Sequence, residues 1–93
     1  METREIVINR CFGGFGLSKK AHEFIGIDQH DYDAMDELSR DDIRLVDCVR
    51  TLGEAANGDH AKLKIVAIPA DVDWVIEEYD GNEWISETHR TWK

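Results

Sequence analysis

The sequence predicts a small α+β domain: a three- to four-stranded, mainly antiparallel sheet with two helices on one side. Three observations point there. An apolar run, Ile6-Val7-Ile8, leads through a glycine-rich loop to a serine that stands before a helical pattern. A second helical pattern follows Asp41-Asp42. Short alternating runs then fill the C-terminal third, the last two joined by the turn residues Asp80-Gly81-Asn82. With 93 residues there is room for one core, so residues 1–93 read as a single domain.

The first strand is expected over Arg4 to Arg10, with Ile6 and Ile8 on one face and Val7 on the other, so both faces carry apolar groups. Ser18 is the expected N-cap of a short helix in which Leu17, Ala21, Phe24 and Ile25 fall at helical spacing, and Gly26 ends it. Residues 28–39 are polar and weakly periodic, which predicts a loop with at most one helical turn. In the second helix Asp41 and Asp42 favour the positive end of the dipole, and Ile43, Val46, Val49 and Leu52 form the expected inward stripe. Lys62 to Ile68 is the second strand, stopped by Pro69. Val72 to Tyr79 and Glu83 to Glu87 form a hairpin. A two-residue loop would set Glu78 opposite Glu83, whereas a four-residue loop pairs Tyr79 with Trp84. Like-charge repulsion favours the longer loop.

Charge narrows the function classes. The net charge is −9, and it is concentrated: residues 28–42 hold seven carboxylates against Arg40, and residues 71–87 hold seven with no base. A phosphate backbone attracts a basic surface, so direct nucleic-acid binding is disfavoured. Acidity of this kind suits solubility or attraction to a basic partner. No apolar run approaches the roughly 20 residues needed to span a bilayer, and the charged residues after Met1 do not resemble a secretory leader. Cys11 and Cys48 form no CxxC pair, which fits reduced thiols in a cytoplasmic protein.

Chemistry could reside in two places. Strand, glycine turn and helix start is an arrangement that holds phosphates, because free amide N–H groups and the dipole favour an anion. Gly13, Gly14, Gly16 and Ser18 are the candidate cradle, and the cations Lys19 and Lys20 in the first helical turn are otherwise disfavoured there. The loop matches neither the Walker nor the dinucleotide pattern, and packing of Phe12 and Phe15 is the simpler reading. The second place is the C-terminal segment. His89 and Arg90 could join the glycine loop as anion ligands, or His89 or Glu78 could act as acid–base in a small enzyme on a phosphorylated substrate. Tyr79, Asp80, Trp84 and Trp92 are candidate partner contacts, since aromatic residues anchor interfaces. No metal site is expected: His22, His30, His60 and His89 share no ligand spacing, and Asp31-Tyr32-Asp33 lacks the rest of a calcium loop. No catalytic residue and no cofactor are assigned from these residues.

Ile6 to Ser18, Leu45-Val46 with Leu52-Gly53 and Ala56-Asn57-Gly58, Ala61 to Pro69, Val72 to Gly81, Glu83-Trp84-Ile85 and His89-Arg90-Thr91-Trp92 together resemble a family of small proteins found widely in tailed bacteriophages and prophages. The resemblance covers nearly the whole chain. It implies a phage accessory protein made in the host cytoplasm, and it carries no activity with it. The glycine loop and the tyrosine-to-tryptophan tail are the most recurrent blocks of that family, and they would define one site if they met in space. The expected function is therefore a non-enzymatic binding protein that engages a host protein, for instance as an inhibitor of host defence or nucleic-acid machinery. The alternatives are a nucleotide- or anion-binding protein or small enzyme built on the glycine loop, and a structural module that pairs its exposed strands into a homodimer.

Overall fold

The computed structural model describes residues 2–87 and the strand positions 91–92. Strand β1 (Thr3–Asn9) runs antiparallel to β2 (Leu63–Pro69), with Val7 opposite Ile65 and Ile6 opposite Val66. Side chains alternate across a strand, so this ribbon presents two apolar faces. One carries Val7, Leu63 and Ile65 and packs on the helices. The other carries Ile6, Ile8, Val66 and Ile68 and packs against Ile76 and Ile85 of the C-terminal hairpin. Ile6, Val7 and Ile8 are all fully buried, which is why the run shows no polar alternation. A lone two-stranded ribbon is marginal in water; here it is the middle layer, covered on both sides.

Helix α1 (Lys19–Ile25) starts at Ser18, whose hydroxyl accepts from the Ala21 N–H, and ends at Gly26 in the left-handed region. Helix α2 (Tyr32–Glu37), capped by Asp31, is a short third helix where residues 28–39 predicted a loop with at most one turn. Helix α3 (Ile43–Leu52) is capped by Asp42, which accepts from the Arg44 N–H at 2.9 Å. The Arg44 side chain bonds the same carboxylate and holds it below the usual aspartate range. The α3 stripe differs from the expected one. Leu45, Val46, Cys48 and Val49 are buried, whereas Ile43 is 67% exposed. Helical side chains tilt toward the N-terminus, so the first residue overhangs the helix end and leaves the core.

Strands β3 (Val75–Tyr79), β4 (Asn82–Ser86) and β5 (Thr91–Trp92) form a second antiparallel sheet in that order. The α+β class with antiparallel strands is as the sequence predicts, with the strands shared between two ladders. The hairpin loop is the shorter one: Tyr79 pairs with Asn82 and Glu78 with Glu83. Asp80 and Gly81 both take positive φ, 52° and 91°, as a two-residue turn matching the strand twist requires. The repulsion that argued for the longer loop is removed by the two carboxylates' partners. Glu78 accepts from the Gly81 N–H, and Glu83 turns inward to an arginine.

The thiols differ in access. Cys48 is fully buried in the helical core, and burial pushes its thiol pKa up. Cys11 is partly exposed beside the glycine loop. Iodoacetamide is therefore expected to add once per native chain, on Cys11, and twice in denaturant; intact-mass measurement counts the adducts.

Candidate functional site

Three chain segments meet at Glu83. Its carboxylate is 8% exposed and accepts from Arg40 Nη1 at 2.7 Å and Nη2 at 2.9 Å, a two-pronged ion pair. The same Oε1 accepts from the Asn9 backbone N–H at 2.7 Å. Asn9 is itself fully buried and uses its whole amide: Oδ1 accepts from Lys62 N, and Nδ2 donates to the carbonyls of Cys11 and Gly81. Arg10 Nη1 donates to the Glu83 carbonyl at 2.7 Å. The Arg40 backbone carbonyl accepts from Val7 N, so the end of the acidic segment lies along the outer edge of β1. The Arg40 guanidinium also lies 3.7 Å over the Phe15 ring. Buried polar groups are costly unless satisfied, and this cluster satisfies them mutually. It fixes β1, residue 40, the glycine loop and the hairpin in one arrangement.

The glycine loop and the hairpin turn touch directly. Gly13 N donates to the Asp80 carbonyl at 3.1 Å. A Cβ on Gly81 would stand 2.2 Å from Gly14 N, so only glycine allows the approach. The hollow at this junction holds about 330 Å³ and is lined by Gly13, Gly14, Gly81, Asp80 and Glu78. Its two side-chain charges are negative, and Glu78 accepts one hydrogen bond, from the Gly81 N–H. Such a hollow repels phosphate.

The remaining members of the expected anion cradle lie elsewhere. The Ser18 hydroxyl accepts from Ala21 N and donates to the Ala55 carbonyl, which occupies it. Gly16 accepts from Gly58 N, packing that part of the loop on residues 57–58. Lys19 and Lys20 are exposed on α1, and Lys19 lines a shallow groove with His22 and Asp28, not the Gly13–Gly14 hollow. His89 and Arg90 lie outside the described residues. Tyr79 (72% exposed) and Asp80 stand at the hairpin tip, open to a partner. Trp84 is half-buried on the outer face of β4, its Nε1 donating to Glu77, and Trp92 is described only as a strand position opposite Ile85. Among the described residues no group of histidine, cysteine and carboxylates is placed to hold a metal.

Sequence reasoning missed a cleft of about 490 Å³ between the glycine loop, α1 and α2. Phe15, Leu17 and Met35 supply apolar walls, Arg40 lies in the lining, and Tyr32 and Asp36 stand on exposed α2 positions. It also missed Arg40, Asn9 and Glu83. The available signals were one arginine among seven carboxylates and one asparagine closing an otherwise apolar strand. No described helix is long and apolar enough to cross a membrane. No protein-family model, no curated protein and no solved structure matches the chain.

Proposed function

We propose that this chain is a non-enzymatic binding protein of phage origin that engages a basic host protein in the host cytoplasm. The observation that carries this reading is the state of its carboxylates. Asp28, Asp31, Asp33, Asp36 and Glu37 in one segment, and Asp71, Asp73, Glu77, Glu78 and Asp80 in the other, are exposed. Among the described residues none of them is ion-paired with a lysine or arginine; the ion pairs use Glu5, Asp41, Asp42 and Glu83 instead. Each segment also exposes large apolar or aromatic side chains, Tyr32 (70%) in the first and Val75 and Tyr79 in the second. Unpaired charge steers a partner of opposite sign, and exposed tyrosines supply contact area once it arrives. A role against host defence or nucleic-acid machinery fits such a partner, since proteins that handle nucleic acid carry basic surfaces.

The phosphate-cradle and enzyme readings are weaker on physical grounds. The glycine loop faces Glu78 and Asp80, its serine is occupied, and its Lys19 lines a different groove. The test is a pull-down from bacterial lysate with the purified protein at low and high salt, read by mass spectrometry. One stoichiometric basic host protein, retained at low salt and lost at high salt, is the expected result. A blank at low salt, together with a thermal shift caused by nucleotides, would overturn the proposal in favour of the anion-binding reading.

A further inference from the structure

We infer that the cleft between the glycine loop and α2 is the seat for an arginine side chain of the partner, an inference that rests on the basic-partner reading above. The cleft has the volume of a ligand pocket, about 490 Å³, and a mixed lining. Its chemistry selects for a cation with a long apolar stem. Leu17 and Met35 are half-buried walls for methylene groups, and the Tyr32 ring, 70% exposed, stands on the rim for a guanidinium to stack on. Asp36 lines the same cleft, is exposed and has no ion-pair partner among the described residues.

The one arginine in the lining, which holds no lysine, is Arg40, and it does not reverse this preference. Both of its terminal nitrogens are committed to Glu83, so the pair is neutral and Asp36 sets the sign of the cleft. The fold also shows that this lining accepts a guanidinium on an aromatic ring: Arg40 already lies 3.7 Å over Phe15. An incoming arginine would repeat the arrangement one layer outward, on Tyr32, with Asp36 as its counter-ion. The rest of the segment, Asp31, Asp33 and Glu37, is exposed around it and adds attraction for neighbouring basic residues of the partner. Nucleic acid and acidic peptides are excluded by the same charges.

The experiment is a two-dimensional ¹H–¹⁵N NMR titration of the full chain with a blocked Arg-Leu-Arg peptide, and separately with inorganic pyrophosphate. The expected result is peptide-induced shifts centred on residues 15–17 and 32–40, with none of that pattern from pyrophosphate. Asp36→Asn should weaken the peptide about threefold, in the range of an exposed ion pair, and Tyr32→Ala about fivefold through the lost stacking and contact area. Both positions are exposed, and the spectrum of each free variant checks that it is folded. A Glu54→Gln variant, at an exposed position outside both acidic segments, should bind the peptide as the wild type does. Peptide shifts confined to residues 77–81, or unchanged by Asp36→Asn and Tyr32→Ala, would overturn the cleft assignment while the salt-sensitive host association still stood. Pyrophosphate shifts centred on the cleft would overturn the assignment and the basic-partner reading together.

Discussion

Replacing Glu83 by alanine is expected to lower the unfolding free energy by about 3–5 kcal/mol, the range for stripping one partner from a buried ion pair. The loss has two sources. Arg40 would keep its charge in a half-buried position over Phe15 with nothing to neutralise it, and the buried Asn9 N–H would lose its acceptor. A chain of this length has a total stability of roughly 5–14 kcal/mol, so the variant would lie close to unfolding. Glu83→Gln keeps one acceptor oxygen but surrenders the charge, and should cost about 1–3 kcal/mol. Replacing both partners together, Arg40→Met with Glu83→Leu, should recover much of the alanine loss, because no isolated charge is left behind. Urea denaturation with a shared m-value checks the series.

Gly81→Ala is expected to cost about 2–5 kcal/mol. Its φ of +91° puts a side chain in the left-handed region, worth about 1–2 kcal/mol. The new methyl would also stand 2.2 Å from Gly14 N and 2.8 Å from Gly13 N, a backbone clash relieved only by separating the loop from the hairpin. Overpacking of that kind adds about 1–3 kcal/mol. Separation would break the Gly13 N–H bond to Asp80 and the Asn9 amide bond to Gly81, loosening the polar cluster as well. Gly16→Ala is the control within the same loop. It has no positive φ and nothing within 4 Å of an added Cβ, so its effect should stay within about 0.5 kcal/mol. Thermal unfolding of the two variants side by side separates a loop built for close approach from one that is merely flexible.

What could be read from the sequence was local. Ser18 and Gly26 bound α1, Asp42 starts α3, and Asp80-Gly81 makes the hairpin turn, because caps and turns depend on a few neighbouring residues. The β1 run reads as doubly buried because no polar residue interrupts Ile6 to Ile8. What could not be read depends on distant partners. Glu83 looks like one more surface carboxylate until Arg40, forty-three residues earlier, is placed against it, and that error also gave the wrong hairpin register. The glycines of the loop read as anion ligands because sequence shows a strand and a helix start but not the acidic turn that faces them. The cleft could not be read because residues 28–39 are weakly periodic, and only Met35 of α2 and its C-cap Leu38 reach the helical core.

The most direct measurement of the account is the salt dependence of host-protein association for the wild type and for a quadruple variant, Asp31→Asn, Asp33→Asn, Asp36→Asn, Glu37→Gln. All four positions are exposed, and asparagine at position 31 still caps α2, so the fold should persist. Exposed charges act through a screened field, with a Debye length of about 8 Å at physiological ionic strength. Affinity should therefore fall steeply with salt for the wild type. In the variant it should be weaker at low salt and fall less steeply, because the second acidic segment keeps its charge. A variant that binds the same partner as tightly, with the same salt slope, would contradict the account, because the unpaired carboxylates around the cleft would then play no part in recognition.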